Sequence, residues 1–165
     1  MRKYSFFILV IILVLLSGCT QSEESLRNDS IDYTKQAFDD EELKVNEETE
    51  QFSFYLPNDF KIKEKNDYNV LLENGDKSYI LFVNLKEPKS SKVSYETLTE
   101  QYQDPFISKT FEQKDRFGYL FVVKIEENKY EVTVGVGGTK VTTEAKGNDV
   151  VEDAEAMMMI ANSVQ

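Results

Sequence analysis

The stretch YLFVVKIEENKYEVTVGVGGTKVT, residues 119–142, decides the fold. Apolar side chains recurring at every second residue identify strands, and here the alternation is broken twice by residues that reverse a chain. A turn at Glu127-Asn128 sets Ile125, Val123, Phe121 and Tyr119 against Tyr130, Val132, Val134 and Val136. A second turn at Gly137-Gly138, with Gly138 expected at positive φ, brings Val141 beside Val134 while Glu131, Thr133 and Thr142 face away. Two independent turns thus predict a three-stranded antiparallel meander with one continuous buried face.

Upstream, a helix is expected with Ser94 as its N-cap, Tyr95, Leu98 and Tyr102 on one stripe, and Asp104-Pro105 as its stop. Before it, Asn74-Gly75 reads as a hairpin turn with Gly75 at positive φ, placing Tyr68, Val70 and Leu72 opposite Leu81, Tyr79 and Lys77. The other face of that hairpin carries Leu71, Ile80 and Phe82, so cover is expected on both sides. Phe52, Phe54 and Leu56 share one face of an earlier strand, Pro57-Asn58 turns the chain, and Phe60 to Lys65 begins another strand. Downstream, a closing helix from about Asp149 gathers Val150, Ala154, Met157, Met158 and Ala161 on one side. The fold class expected is α+β, an antiparallel β-sheet with helices packed on it.

The opening Phe52-Ser53-Phe54-Tyr55-Leu56-Pro57-Asn58-Asp59-Phe60, the strands with an interposed helix, and the terminal Ile160-Ala161-Asn162-Ser163-Val164 resemble the PsbP-like superfamily. That resemblance implies an α/β/α sandwich and a non-catalytic accessory or binding role. Asn58-Asp59-Phe60 stands where the family usually has Gly-Trp, and no functional residue is carried across.

Arg2 and Lys3 precede 11 consecutive apolar residues, Phe6 to Leu16, a length suited to a secretory signal and short of the ~18 expected of a spanning helix. Leu16-Ser17-Gly18-Cys19 then resembles the lipobox of bacterial lipoproteins. The resemblance implies removal of residues 1–18, a diacylglyceryl and palmitate-bearing Cys19 as the new N-terminus, and attachment to the extracytoplasmic face of a cell membrane. One acyl chain holds a protein only marginally, whereas a lipidated cysteine carries at least two. Residues 19–50 are expected to be the anchor plus a flexible acidic tether, and 51–165 the folded domain. Thr20 to Glu50 carries a net charge of −8 and scatters Leu26, Ile31, Tyr33, Phe38 and Leu43 without a sustained stripe, so it is expected to hold the domain ~30 Å from the lipid.

The chain is acidic, with a formal charge of −11, which leaves no phosphate-neutralising surface and excludes nucleic acid as a partner. It has no histidine and no cysteine besides Cys19, which excludes Ser-His-Asp and Cys-His nucleophiles and metal sites built on imidazole or thiolate. No cofactor or metal is expected. The acidic run Asp39-Asp40-Glu41-Glu42 lacks the ligand spacing of a calcium loop. Gly135-Val136-Gly137-Gly138-Thr139-Lys140 leads into a strand instead of a helix N-terminus, so it reads as a hairpin and not as a phosphate loop. Met157, Met158 and Met159 point about 100° apart on a helix and cannot converge on one ion.

One candidate partner surface remains. Lys61, Lys63 and Lys65 alternate along a strand, and Lys86, Lys89 and Lys92 decorate a following loop, a set that could meet an anionic wall polymer or an acidic envelope protein. The bland reading of the same strand is an edge protected from aggregation by its lysines. The function expected is therefore a lipid-anchored, non-catalytic binding or accessory module. Its rivals are a small hydrolase using carboxylates or a Ser-Lys dyad, and a structural envelope protein.

Overall fold

The structure, a computed structural model, describes residues 22–40 and 43–165. The signal segment and Cys19 lie outside the described residues, as do Glu41 and Glu42. Along the chain come α1 (Glu23–Asp39), β1 (Glu47–Glu48), β2 (Ser53–Phe54), β3 (Lys61–Lys65), β4 (Asn69–Asn74), β5 (Lys77–Val83), α2 (Val93–Gln101), β6 (Ile107–Gln113), β7 (Arg116–Glu126), β8 (Lys129–Val136), β9 (Thr139–Lys146) and α3 (Val150–Ser163). β1 and β2 form a small ribbon, and the other seven strands form one sheet in the order β3-β4-β5-β9-β8-β7-β6. Every pairing in it is antiparallel, so the α+β class holds.

One face of this sheet is the core. Val70, Leu72, Tyr79, Leu81, Leu120, Val122, Val132, Val134 and Val141 point into it, and α3 covers it with Val150, Ala154, Met157, Met158 and Ala161. That set on α3 follows the 3.6-residue period read from the sequence.

The tether reading is corrected. Residues 23–39 are a helix whose Leu26, Ser30, Thr34, Ala37 and Phe38 are buried against α3 and the sheet. Ser22 caps it by accepting from the Ser25 amide at 3.1 Å, and Glu23 and Glu24 sit favourably in its first turn. Two of its five buried positions are hydroxyls, which hid the stripe. Ser30 and Thr34 each donate to the carbonyl one turn back, at 2.6 Å, and are thereby satisfied without water. At the other end Asn162 Nδ2 reaches the carbonyls of Ala37, Phe38 and Asp40 at 3.3, 3.1 and 2.9 Å, meeting acceptors that a helix terminus leaves orphaned. Residues 23–39 therefore belong to the folded domain, which was expected to begin at Gln51.

The meander has both expected turns, and Val134 pairs with Val141 as expected, but the β7–β8 register differs. Glu126 pairs with Lys129 across Glu127-Asn128, and Asn128 takes φ +60°. Ile125 is then bulged out, so Lys124 faces Tyr130 and Val122 faces Val132. A slip of one residue exchanges the faces of everything beyond it. Leu120 and Val122 enter the core, and Tyr119 and Phe121, expected there, go to the opposite face.

The first hairpin turns at Gly75-Asp76, with Gly75 at φ +61°, so Leu72 pairs with Tyr79 and Val70 with Leu81. The offset from the expected register is even, which preserves the faces. At the β8–β9 tip it is Gly137, at φ +55°, that takes the left-handed conformation, and Gly138 does not. Both are needed for space, because a Cβ would lie 2.5 Å from the Pro88 carbonyl oxygen at 137 and 2.5 Å from the Asn84 carbonyl oxygen at 138. The tip is roofed by backbone of the 84–92 loop.

Candidate functional site

The two faces of the sheet are covered unequally. Among the described residues, α1, of 17 residues, and α3, of 14, occupy the core face, whereas the opposite face has only α2, of 9 residues. α2 starts at Val93 after Lys92, with no side-chain cap; Ser94 lies inside its first turn instead of capping it. Its stripe is the expected one. Tyr95, Leu98 and Tyr102 rest on Phe117, Tyr119 and Phe121 of β7, with Tyr95 edge-on to Phe117 at 5.7 Å. The Tyr95 hydroxyl meets Ser108 of β6 at 2.9 Å, and the Tyr102 hydroxyl donates to Glu131 of β8 at 3.3 Å. Those contacts fix α2 over β6–β8.

Among the described residues, no helix lies over the other half of that face, on β4, β5 and β9. Ile80 is 54% exposed, Leu71 and Phe82 are half-buried, and Lys140 lies 5.5 Å from the Phe82 ring. Among the described residues, the cover expected on both sides of the hairpin is found on one side only. A shallow depression of about 470 Å³ crosses it, lined by residues that include Leu71, Ile80, Thr142, Glu131 and Glu144. Its lining joins the apolar Leu71 and Ile80 to hydroxyls and to the carboxylates Asp76, Glu131 and Glu144.

The lysine surface is not assembled as expected. β3 bulges between Ile62 and Glu64, which breaks the alternation that would have aligned Lys61, Lys63 and Lys65. Lys63 Nζ binds Glu73 at 2.6 Å, an ion pair that raises the Lys63 pKa, and Lys65 Nζ donates to the Glu48 carbonyl at 3.0 Å. β3 is the sheet edge, where a bulge and lysines discourage pairing with another chain. The 84–92 loop sits elsewhere, over the β8–β9 tip and β7, with the Phe117 amide bonded to the Lys89 carbonyl at 2.9 Å. In it Lys92 pairs with Glu112 at 2.7 Å, Lys86 is exposed, and burial of the Lys89 ammonium, followed by repulsion from Arg116, lowers its pKa.

A polar network that the sequence reading did not single out lies where β5 meets α3. Asp153, 4% exposed, accepts from Lys77 Nζ at 2.7 and 2.9 Å and from the Tyr79 hydroxyl at 2.7 Å. Burial, and then the Asp153 carboxylate, push the Tyr79 hydroxyl well above the usual tyrosine range. Asp153 falls on the same stripe as Val150, Ala154 and Met157, and that position was the available signal. With its oxygens engaged by two donors from the fold, the network is a buried clasp between sheet and helix. Along the α1–α3 groove, Asp29, Tyr33, Glu152 and Glu155 share a surface, and partial burial, with Glu152 second, raises the Glu155 pKa. Among the described residues no group of three or more acidic or thiol side chains could hold a metal ion, and no helix is long and apolar enough to cross a membrane.

No protein-family profile matches the chain, and no curated protein matches it. Among solved structures, it is similar to the solution structure of cyanobacterial PsbP from Synechocystis sp. PCC 6803, at 11% identity and a TM-score of 0.42, over 74% of this chain and 91% of that one.

Proposed function

We propose that the chain is a lipid-anchored binding or accessory module on the extracytoplasmic face of a cell membrane, and that it works without catalysing a reaction. The observation that carries the binding reading is the uncovered half of the sheet, where Leu71, Ile80 and Phe82 meet solvent beside a helix that covers only the other half. Contiguous apolar surface rimmed by polar residues is the kind of surface that interaction sites use. The anchor reading is supported by the order of charged leader, apolar run and Leu16-Ser17-Gly18-Cys19. The non-catalytic reading is supported by the absence of histidine and by the engagement of the buried carboxylate, Asp153, in the clasp with Lys77 and Tyr79.

Two experiments test this. Growth with a palmitate analogue should label the parent chain in the membrane fraction, and Cys19→Ala should lose both label and membrane retention. A photo-crosslinking side chain at position 80 should give a discrete adduct on intact cells that the same group at Lys35, on the opposite side, does not. Persistent labelling of Cys19→Ala would overturn the anchor. No adduct at 80 beyond that at 35 would overturn the face, and turnover of an envelope substrate abolished by one Asp or Glu substitution would overturn the non-catalytic reading.

A further inference from the structure

The position of α1 converts the lipid anchor from a loose leash into a constraint on orientation. The start of the helix is pinned to one end of the sheet. Glu23 pairs with Lys124 at 2.6 Å, and the Arg27 guanidinium donates to the Phe106 carbonyl while lying 4.5 Å from the Phe106 ring centre. The end of the helix is pinned to the opposite end of the sheet. Asp39 accepts from Gln113 at 3.3 Å, and Phe38 packs on Phe111, with Arg116 5.1 Å from its ring centre. β7 therefore runs from the Asp39 end to the Glu23 end, and its 11 residues span ~33 Å.

Only residues 20–22 separate Cys19 from Glu23. Four Cα steps reach at most ~14 Å when fully extended. Resting on the attachment at Cys19 proposed above, we infer that the domain is apposed to the bilayer surface by the end that carries Glu23, Lys124, Ile125 and the Glu127-Asn128 turn. The opposite end, with the Lys114-Asp115 turn and the 84–92 loop, is directed away from it.

The partner of this surface is the lipid headgroup layer, and the anchor, not charge, brings them together. The near end mixes Glu23, Glu24, Glu126, Glu127 and Asp149 with Lys124, Lys129 and Lys146, so the unanchored domain has no net positive surface to draw it to an anionic leaflet there. The sides formed by α1 and α3 carry Asp29, Asp32, Glu152 and Glu155, which oppose lying flat on the helices. Ile125, at the bulge and 41% exposed, is an apolar side chain carried by this end. The half-covered sheet face then stands beside the bilayer, accessible to proteins in or on the same membrane.

The test uses the full lipidated chain in phosphatidylcholine–phosphatidylglycerol vesicles that contain an acceptor-labelled lipid. Cys19 is the only cysteine and its sulfur carries the lipid, so a donor dye attached to Glu127→Cys or to Asp115→Cys labels one site; both positions are exposed turn residues. Energy transfer should be at least about twofold higher from position 127 than from 115, as expected for donors ~33 Å apart along the strand direction. Equal or reversed transfer from vesicle-bound chains would overturn the orientation while leaving the anchor intact. Cys19→Ser carrying either dye should not associate with the vesicles, and unchanged association would instead overturn the anchor on which the inference rests.

Discussion

Phe38→Ala tests whether the amino-terminal helix belongs to the core. The ring is 1% exposed, tilts against Phe111 at 5.7 Å and fills the space left by Gly118, where a Cβ would come within 2.6 Å of two ring carbons. Truncating a fully buried phenylalanine costs about 3–5 kcal/mol, because the transfer term and the residual cavity add. With a urea slope of about 2 kcal/mol/M for a domain of this size, the midpoint should fall by roughly 1.5–2.5 M with the slope unchanged. Gly118→Ala attacks the same contact from the sheet side and should cost ~1–3 kcal/mol by overpacking. Urea titrations followed by far-ultraviolet circular dichroism measure both. A residues 51–165 fragment, which lacks α1 entirely, should lose cooperativity. Losses below about 1 kcal/mol in both variants, well short of the cavity cost, would mean that α1 is detached in solution and that the acidic segment is a tether after all.

Asp153→Ala should destabilise by ~2–4 kcal/mol, since it leaves the buried Tyr79 hydroxyl without an acceptor and the Lys77 ammonium without its main counter-charge; Asp153→Asn, which keeps an acceptor, should cost clearly less. Equal losses in the two variants, measured by urea titration, would remove the hydrogen bond to Tyr79 from the account. Glu155 has a pKa raised first by burial and then by Glu152, so its proton is bound more tightly in the folded state. Its contribution to stability is present below the unfolded-state pKa and is lost as the pH rises through the folded-state value. Glu155→Gln should therefore raise the melting temperature at neutral pH and leave it unchanged at a pH below the ordinary glutamate range. A gain of the same size at both pH values would speak against this.

Strands, turns and the terminal helix were legible because their signals are local. Alternation at period two, glycine or asparagine at positive φ, and the Val150-Ala154-Met157-Met158-Ala161 stripe require no knowledge of the rest of the chain. The aromatic stripe of α2 was legible for the same reason. The sequence by itself thus determined the fold class and the two turns of the meander.

What tertiary structure decided is where a local pattern could be read in two ways. The bulge at Ile125 carries no composition mark, and it alone sends Tyr119 and Phe121 to the α2 side and Leu120 and Val122 to the core. With the bulge in place, the rings of Tyr119 and Phe121 meet α2 while the aliphatic Leu120 and Val122 enter the core. Residues 23–39 look like a solvated acidic segment until α3 lies beside them. Ser30 and Thr34 then turn their hydroxyls onto their own helix, Asn162 meets the terminal carbonyls, and Phe38 finds the space above Gly118. Each of those contacts joins residues far apart in the chain or satisfies a polar group that burial alone would penalise, so none of them is visible to a window moved along the sequence. The lysines failed in the converse way: their spacing was regular, but the bulge in β3 and the partners Glu73 and Glu48 came from elsewhere in the fold.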